Sequence, residues 1–300
     1  MLFKDVRDYQ IAFLGLFLLL GIGTRDWTLR SQFIIAIVFT CIATQWLAEC
    51  IARTWEIWQE KKDLILLNPL EMHSLRSAII TSLGLSLLLR TGSYTTAIAA
   101  SILAIASKFI FKIRNKHFFN PANFGIISVL IFTSDAWVSP GQWGEDWWYV
   151  LLFAGTGGTV LKKVGRWDTT VCFLSFYAVL EAIRNFTLGW TWDIFWHRLT
   201  SGSLLLFALF MLTDPRSIPD ARVSRLIWAG CIAGLTFILR NQFYLSTSVF
   251  WALFILSPLT MFLDYLWHST RFSWERSSDR SQDNSSHEIL DRKAIILEKI

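Results

Sequence analysis

Two polar motifs interrupt an otherwise apolar chain: His117-Phe118-Phe119-Asn120-Pro121-Ala122-Asn123-Phe124-Gly125 and Met211-Leu212-Thr213-Asp214-Pro215. Each sets a proline and carboxamide or carboxylate groups at the end of a segment able to sit at membrane depth. Hydrocarbon cannot satisfy exposed backbone polar groups, so breaks of this kind line cavities. Asn120 and Asn123 have two uses open to them. They can cap the helix that Pro121 opens, where the missing N–H costs nothing. Alternatively, their carboxamides and the freed N–H groups, beside Arg114 and Lys116, can meet an anionic ligand such as a flavin phosphate. Asp214, next to Thr213 and expected to face Arg216, Arg222 and Arg225 in a short loop, is either part of a surface turn or, aimed into the bundle, a carboxylate for cation coordination or a proton step.

Other candidates are weaker. In Gly155-Thr156-Gly157-Gly158-Thr159 the small side chains at Gly157, Gly158 and Thr159 allow close helix packing or a ligand's approach to backbone. The stretch has neither the spacing nor the βαβ setting of a dinucleotide fingerprint. Glu181 and Arg184, three apart, are expected to pair on one helical face. Glu49 has no partner nearby in sequence, which makes it an intramembrane carboxylate for an ion pathway or a side chain that snorkels. His117 and His197 are expected at opposite faces of the membrane, so no haem pair and no metal site is read.

The elements that hold these residues follow from composition. Of 300 residues 53% are hydrophobic and 17% charged, and the mean hydropathy is +0.43, far from a soluble domain. The net charge of +5 lies between apolar segments rather than along one face, which excludes nucleic acid as the partner and fits the bilayer instead. Cys41, Cys50, Cys172 and Cys231 sit inside apolar runs without CxxC spacing and read as small hydrophobes. The start resembles a signal peptide, but Asp5 and Asp8 in the would-be basic region make it a first membrane helix.

Apolar runs near 9–24, 32–52, 75–89, 94–112, 122–135, 146–161, 169–185, 198–213, 224–239 and 247–268 predict an all-α polytopic bundle of about ten transmembrane helices. Lys and Arg concentrate in alternate loops, which puts both termini in the cytoplasm of a multi-pass protein of the bacterial inner (plasma) membrane. Trp137, Trp143, Trp147, Trp148, Trp190, Trp192 and Trp196 then gather at the outer interface. Ten divides into five plus five inverted repeats, with short, interrupted third segments near 75–89 and 198–213 flanking a midplane site. Residues 1–269 form the membrane domain; 270–300 form a hydrophilic, Ser-rich cytoplasmic tail expected to be disordered.

Taken together, Lys116–Gly125, Gly155–Thr159, and His197-Arg198-Leu199-Thr200-Ser201-Gly202-Ser203 running into Phe210–Pro215 resemble the NqrB/RnfD family over roughly residues 5–265. These are membrane subunits of the sodium-translocating NADH:quinone reductase and of the Rnf electron-transport complex. Closer still, Asn120–Gly125, Ala136–Gly144 and Pro215–Asp220 look like a shorter branch found with enediyne-type biosynthesis clusters. The resemblance implies electron transport coupled to ion transport, a flavin (FMN or riboflavin) and partner subunits of an electron-transport complex. Family members with covalent FMN carry it on the threonine of a Ser-Gly-Ala-Thr motif. No such tetrapeptide occurs here, so only a noncovalent flavin is expected. Where the family's glycine-rich segment commonly continues with Glu, this chain has Thr159. Two further readings remain: a transporter or channel for a small solute, and a non-catalytic membrane anchor that recruits soluble partners through basic loops and the tail.

Overall fold

A computed structural model describes residues 5–24, 30–60, 72–114, 116–138, 147–272 and 274. The loop at 139–146, including Trp143, and the tail from 275 onward lie outside the described residues. What is described is mostly helical, and a helix or a bent pair of helices covers each of the ten apolar runs. The first five are α1 (Val6–Thr24), α2 (Ser31–Glu60), α3 (Met72–Leu88), α4 (Tyr94–Ile110) and α5 (Pro121–Phe132). Then come α6 (Trp147–Val164), α7 (Trp167–Thr187), α8 (Trp192–Leu199), α9 (Gly202–Leu206) with a π-helical turn at Phe207–Met211, α10 (Arg222–Asn241), α11 (Ser248–Leu256) and α12 (Leu259–Leu266).

Among the described residues, α1, α2 and α10 are long and apolar enough to cross a membrane as single helices. Two broken pairs pass the same test: α8 with α9 and its π turn, bent by 43°, and α11 with α12, bent by 47°. Pro258 stands at the second bend, where its ring ends the α11 ladder, and the Trp228 indole N–H donates to the Leu256 carbonyl there (3.0 Å). Helices α3, α4 and α5 are apolar but shorter.

Two antiparallel ribbons fasten opposite ends of the bundle. Leu89–Thr91 (β1) pairs with Ala136–Val138 (β4), Arg90 facing Trp137. Lys112–Ile113 (β2) pairs with Lys116–His117 (β3), Lys112 facing His117. The β1–β4 end is closed by Asp135, whose carboxylate accepts from the Ser93 and Thr96 hydroxyls (both 2.7 Å) at the start of α4.

The packing has a repeated pattern. In the first half α1 packs on α3, α2 on α4, and α4 on α5; in the second half α6 packs on α9, α7 on α10, and α10 on α11. The halves join through α1 with α6 and α5 with α11. Small residues permit the closest of these approaches. A Cβ on Gly125 would stand 2.5 Å from the Ala100 carbonyl oxygen, so α5 can touch α4 only with glycine there. Phe17, wholly buried, meets Phe153 of α6 and Phe210 of the π turn edge to face (centroids 4.8 and 5.5 Å).

Candidate functional site

The π turn supplies the site's irregular backbone. Leu212 N–H donates to the Phe207 carbonyl (2.8 Å), one residue further back than in an α-helix, and so leaves the Ala208 carbonyl without its usual donor. Thr170 of α7 fills that gap with its hydroxyl (2.7 Å). Thr213 turns its own hydroxyl onto the Leu209 carbonyl (2.9 Å), a use internal to the helix end. The Met211 carbonyl, two residues on, accepts from the Asn120 carboxamide (3.0 Å).

That last bond joins the two proline motifs. Asn120 is also the N-cap of α5: its carboxamide oxygen accepts from Asn123 N–H (3.0 Å), and Pro121 follows in the first turn. One side chain therefore caps one break and satisfies the other. Asn123 donates to the Phe250 carbonyl at the start of α11 (3.1 Å), while its buried oxygen has no hydrogen-bond partner among the described residues. The starts of α5 and α11 thus meet inside the bundle. Phe119 stacks on Phe254 beside them (5.1 Å).

Where the motifs meet, a cavity opens with about 860 Å³ of empty space, counting its mouth. His117, Asn120, Pro121, Met211, Asp214, Pro215 and Arg216 form one wall; α1 contributes Arg7, Gln10 and Leu14, and α3 contributes Ser77, Thr81 and Gly84. His117 Nε2 lies 3.6 Å from an Asp214 oxygen, and Arg216 N–H donates to the other (3.2 Å). Burial acts most strongly on Asp214 and would raise its pKa. The neighbouring His117, with the N–H and charge of Arg216, outweighs it and holds the carboxyl below the usual carboxylate range. Arg7 is already paired with Asp5 (2.6 Å). Cation–π contact places its guanidinium 4.9 Å from the Trp274 ring centre. The cavity therefore presents an ionised carboxylate, an imidazole beside it, and hydroxyls within a largely apolar wall. Such a set can coordinate a small cation or pass a proton.

Arg222 and Arg225 do not face Asp214 as the sequence suggests. Arg225 grips Asp168 (2.7 Å) and the Asp220 carbonyl (2.6 Å), and Arg222 approaches Asp168 (3.7 Å). Lys116 is held in the same cluster, donating to Asp220 (3.0 Å) and Asp264 (2.6 Å), so it is no open anion site. The short β2–β3 turn carries Arg114 at a positive φ of 50° on the exposed surface, its carbonyl accepting from Arg271.

The glycine-rich stretch lies on α6, away from the cavity wall. A Cβ on Gly157 would come within 2.8 Å of the Leu209 side chain, so this glycine lets α6 close on the π turn, whereas Gly158 faces open space. Thr159 bonds its own helix at the Gly155 carbonyl (2.8 Å). Of the residues expected around a flavin, only Asn120 faces the cavity; Arg114, Lys116, Asn123, Gly157, Gly158 and Thr159 are dispersed and form no common cradle.

Two expectations for carboxylates are corrected. Glu49 is not isolated: Gln45 donates to it (2.7 Å) and so does Ser74 of α3 (3.0 Å). Gln45 in turn accepts from Lys108 of α4 (3.3 Å), which also donates to Ser77 on the cavity wall (3.1 Å). A polar chain thus leads from Glu49 to the cavity. Glu181 pairs with Arg198 (2.8 Å) and accepts from Asn241 (2.9 Å), while Arg184 lies over the Trp190 ring (4.7 Å to its centre). The i,i+3 spacing allows Glu181 and Arg184 to meet, but a longer-range arginine with a neutral amide satisfies both carboxylate oxygens. Sequence reasoning misses Lys108 and Ser77 as site residues and meets His117 only within its motif and in a haem pairing that it sets aside. A lysine near the end of an apolar run is the available signal for the first.

Residues 132–273, just under half of the chain, match the model of the NQR2, RnfD, RnfE family. The D subunit of the ion-translocating oxidoreductase complex of Vibrio atlanticus (strain LGP32) is 32% identical over 125 residues, covering 41% of this chain and 36% of that protein. Its counterpart of the same name in Stutzerimonas stutzeri is 30% identical over 126 residues, covering 42% of this chain and 35% of the relative. The one from Actinobacillus pleuropneumoniae serotype 5b (strain L20) is 26% identical over 102 residues, covering 33% and 29%. The matched stretch spans about a third of these curated relatives. The family match takes in Thr213-Asp214-Pro215 and begins after Asn120-Pro121, a narrower extent than the resemblance read from the motifs. Over residues 132–273, the chain is similar to the NQR2, RnfD, RnfE family.

Proposed function

We propose that this chain is an integral membrane subunit of an NqrB/RnfD-like electron-transport system, working with other subunits of such a complex, in which electron transfer is coupled to ion movement across the membrane. The observation that carries the reading is the meeting of the two proline breaks at one cavity, with ionised Asp214 beside His117. In the proposed topology the ten helical runs are ten spans, arranged as two inverted five-helix repeats with both termini in the cytoplasm. The parallel packing of α1–α5 and α6–α12 supports the repeat, and the loop charges support the orientation.

Asp214 is the proposed ion ligand or proton acceptor, with Glu49, Gln45 and Lys108 forming a side path through Ser77. The flavin implied by the resemblance enters the proposal as noncovalent, with Asn120 the one residue of the expected set that reaches the cavity. Gentle extraction from native membranes followed by a visible spectrum and intact mass tests that part: near-stoichiometric flavin without added protein mass supports it, and colourless protein rejects it. For ion coupling, membranes bearing Asp214→Asn should lose redox-driven ion flux while the chain stays folded. Unchanged flux would remove Asp214 from the mechanism.

The second reading, a small-solute transporter, is favoured by the cavity together with the missing Ser-Gly-Ala-Thr threonine. Solute flux in liposomes that contain no redox partner would select it.

A further inference from the structure

A second pocket lies at the opposite end of helix Gly202–Met211 from Asp214. Ser201, Ser203, Ser246 and Ser248 line it, with Arg240, Leu204, Val249 and Phe250, around about 470 Å³ of empty space. Its polar groups can all donate. The hydroxyls of Ser201, Ser246 and Ser248 make no hydrogen bond to another described residue, although Ser248 is only 2% exposed. The Arg240 guanidinium uses one N–H on the Tyr177 hydroxyl (3.2 Å).

The charge around it does not balance. Three arginines, Arg184, Arg198 and Arg240, stand at this end of α7, α8 and α10, and the buried carboxylate among them, Glu181, has both oxygens taken by Arg198 and Asn241. Arg184 is spread over Trp190. Arg240 has no carboxylate within ion-pair distance among the described residues, yet it lines a pocket whose other polar groups are serine hydroxyls. A half-buried cation left without a counter-charge is costly, and a fork of N–H donors beside hydroxyl donors matches the oxygens of an anion. Of these arginines Arg240 is the one that lines the pocket, and it brings one positive charge to it.

We propose that Arg240, Ser201, Ser246 and Ser248 bind a singly charged phosphate oxyanion, a site separate from the Asp214 cavity and independent of the redox reading. Two sources carry that group: inorganic phosphate from the aqueous phase and the phosphodiester of an anionic lipid headgroup.

Full-length protein in detergent is titrated with inorganic phosphate against chloride at equal ionic strength, followed by thermal unfolding. In parallel, nanodiscs of mixed phosphatidylglycerol and phosphatidylcholine are analysed by native mass spectrometry for retained lipid. The proposal expects saturable stabilisation by phosphate or selective retention of phosphatidylglycerol, the arm that responds naming the source. Arg240→Gln should weaken that binding about tenfold or more, a lost charged hydrogen bond, and Ser248→Ala should weaken it by a smaller factor. Arg222→Gln, at the far end of α10, should leave it unchanged. Wild-type protein that prefers neither phosphate over chloride nor phosphatidylglycerol over phosphatidylcholine overturns the proposal. Should Arg240→Gln fail to fold, Ser248→Ala decides alone, and binding equal to wild type in that variant rejects the site.

Discussion

The Asp168 cluster and the Asp214 cavity sit at the same end of the bundle and use the same residue types, but only one of them faces empty space. In the cluster, Asp168, Asp220 and Asp264 are matched by Arg225, Arg222, Arg166 and Lys116 at distances down to 2.6 Å, bracing α7, α10, α12 and the β2–β3 ribbon. In the cavity, Asp214 has an imidazole at 3.6 Å and one backbone N–H, and its side chain keeps 23% of its exposure. Charge within an apolar chain does not by itself mark function. A carboxylate with every oxygen matched at short range holds elements together, while one left partly open in a cavity can exchange partners.

The contrast breaks most visibly if the cluster's charges are removed singly. Asp168→Asn leaves buried Arg225 without its counter-charge and should cost about 3–5 kcal/mol in stability. Pairing it with Arg225→Met should recover more than half of that loss, read by thermal unfolding in detergent. Next in size is the wall between α6 and the π turn. Gly157→Leu must push Leu209 aside, since even a Cβ would approach it to 2.8 Å. We expect a loss of about 1–3 kcal/mol, whereas Gly158→Ala, facing open space, should be neutral.

Asp214→Asn should behave oppositely to Asp168→Asn: a stability change of less than about 1 kcal/mol, since the group is partly exposed and screened, with loss of redox-driven ion flux. The pH dependence sharpens this further. A carboxyl whose folded pKa is depressed contributes stability above its unfolded pKa, about 3.9, and loses it as pH falls through the lower folded value. Asp214 should therefore stay ionised from about pH 5 to 8, and wild type and Asp214→Asn should show parallel stability profiles there, diverging only in more acidic solution. The smallest effect is expected at Thr159→Ala, whose hydroxyl serves only its own exposed helix: within about 0.5 kcal/mol of wild type.

Much of the scaffold was legible in the sequence because apolar length and proline position are local signals. All ten apolar runs coincide with helices, and Pro121 opens α5 at the predicted residue. The coming together of Asn120 and Met211 was implied only by the idea of two cavity-lining breaks, not by any pattern linking their positions. Partner choice was the least legible. Lys116, Arg222 and Arg225 look available to ligand or to Asp214, and all three are taken by carboxylates distant in sequence. Glu181 pairs with Arg198 rather than Arg184 for the same reason: tertiary packing, absent from local spacing, decides which charges are desolvated together. The π turn also left no mark, since its freed carbonyl is satisfied by Thr170 from another helix.

The contact between the two breaks is the claim on which the functional reading rests. With the four native cysteines replaced by alanine, Asn120→Cys and Met211→Cys are combined in the full-length chain in native membranes and treated with a short bis-thiol reagent. Rapid intramolecular cross-linking is expected, visible after cleavage between the two positions as fragments that stay joined. Fragments that separate completely, with cross-linking no faster than in an Asn120→Cys, Trp190→Cys control, would refute the contact.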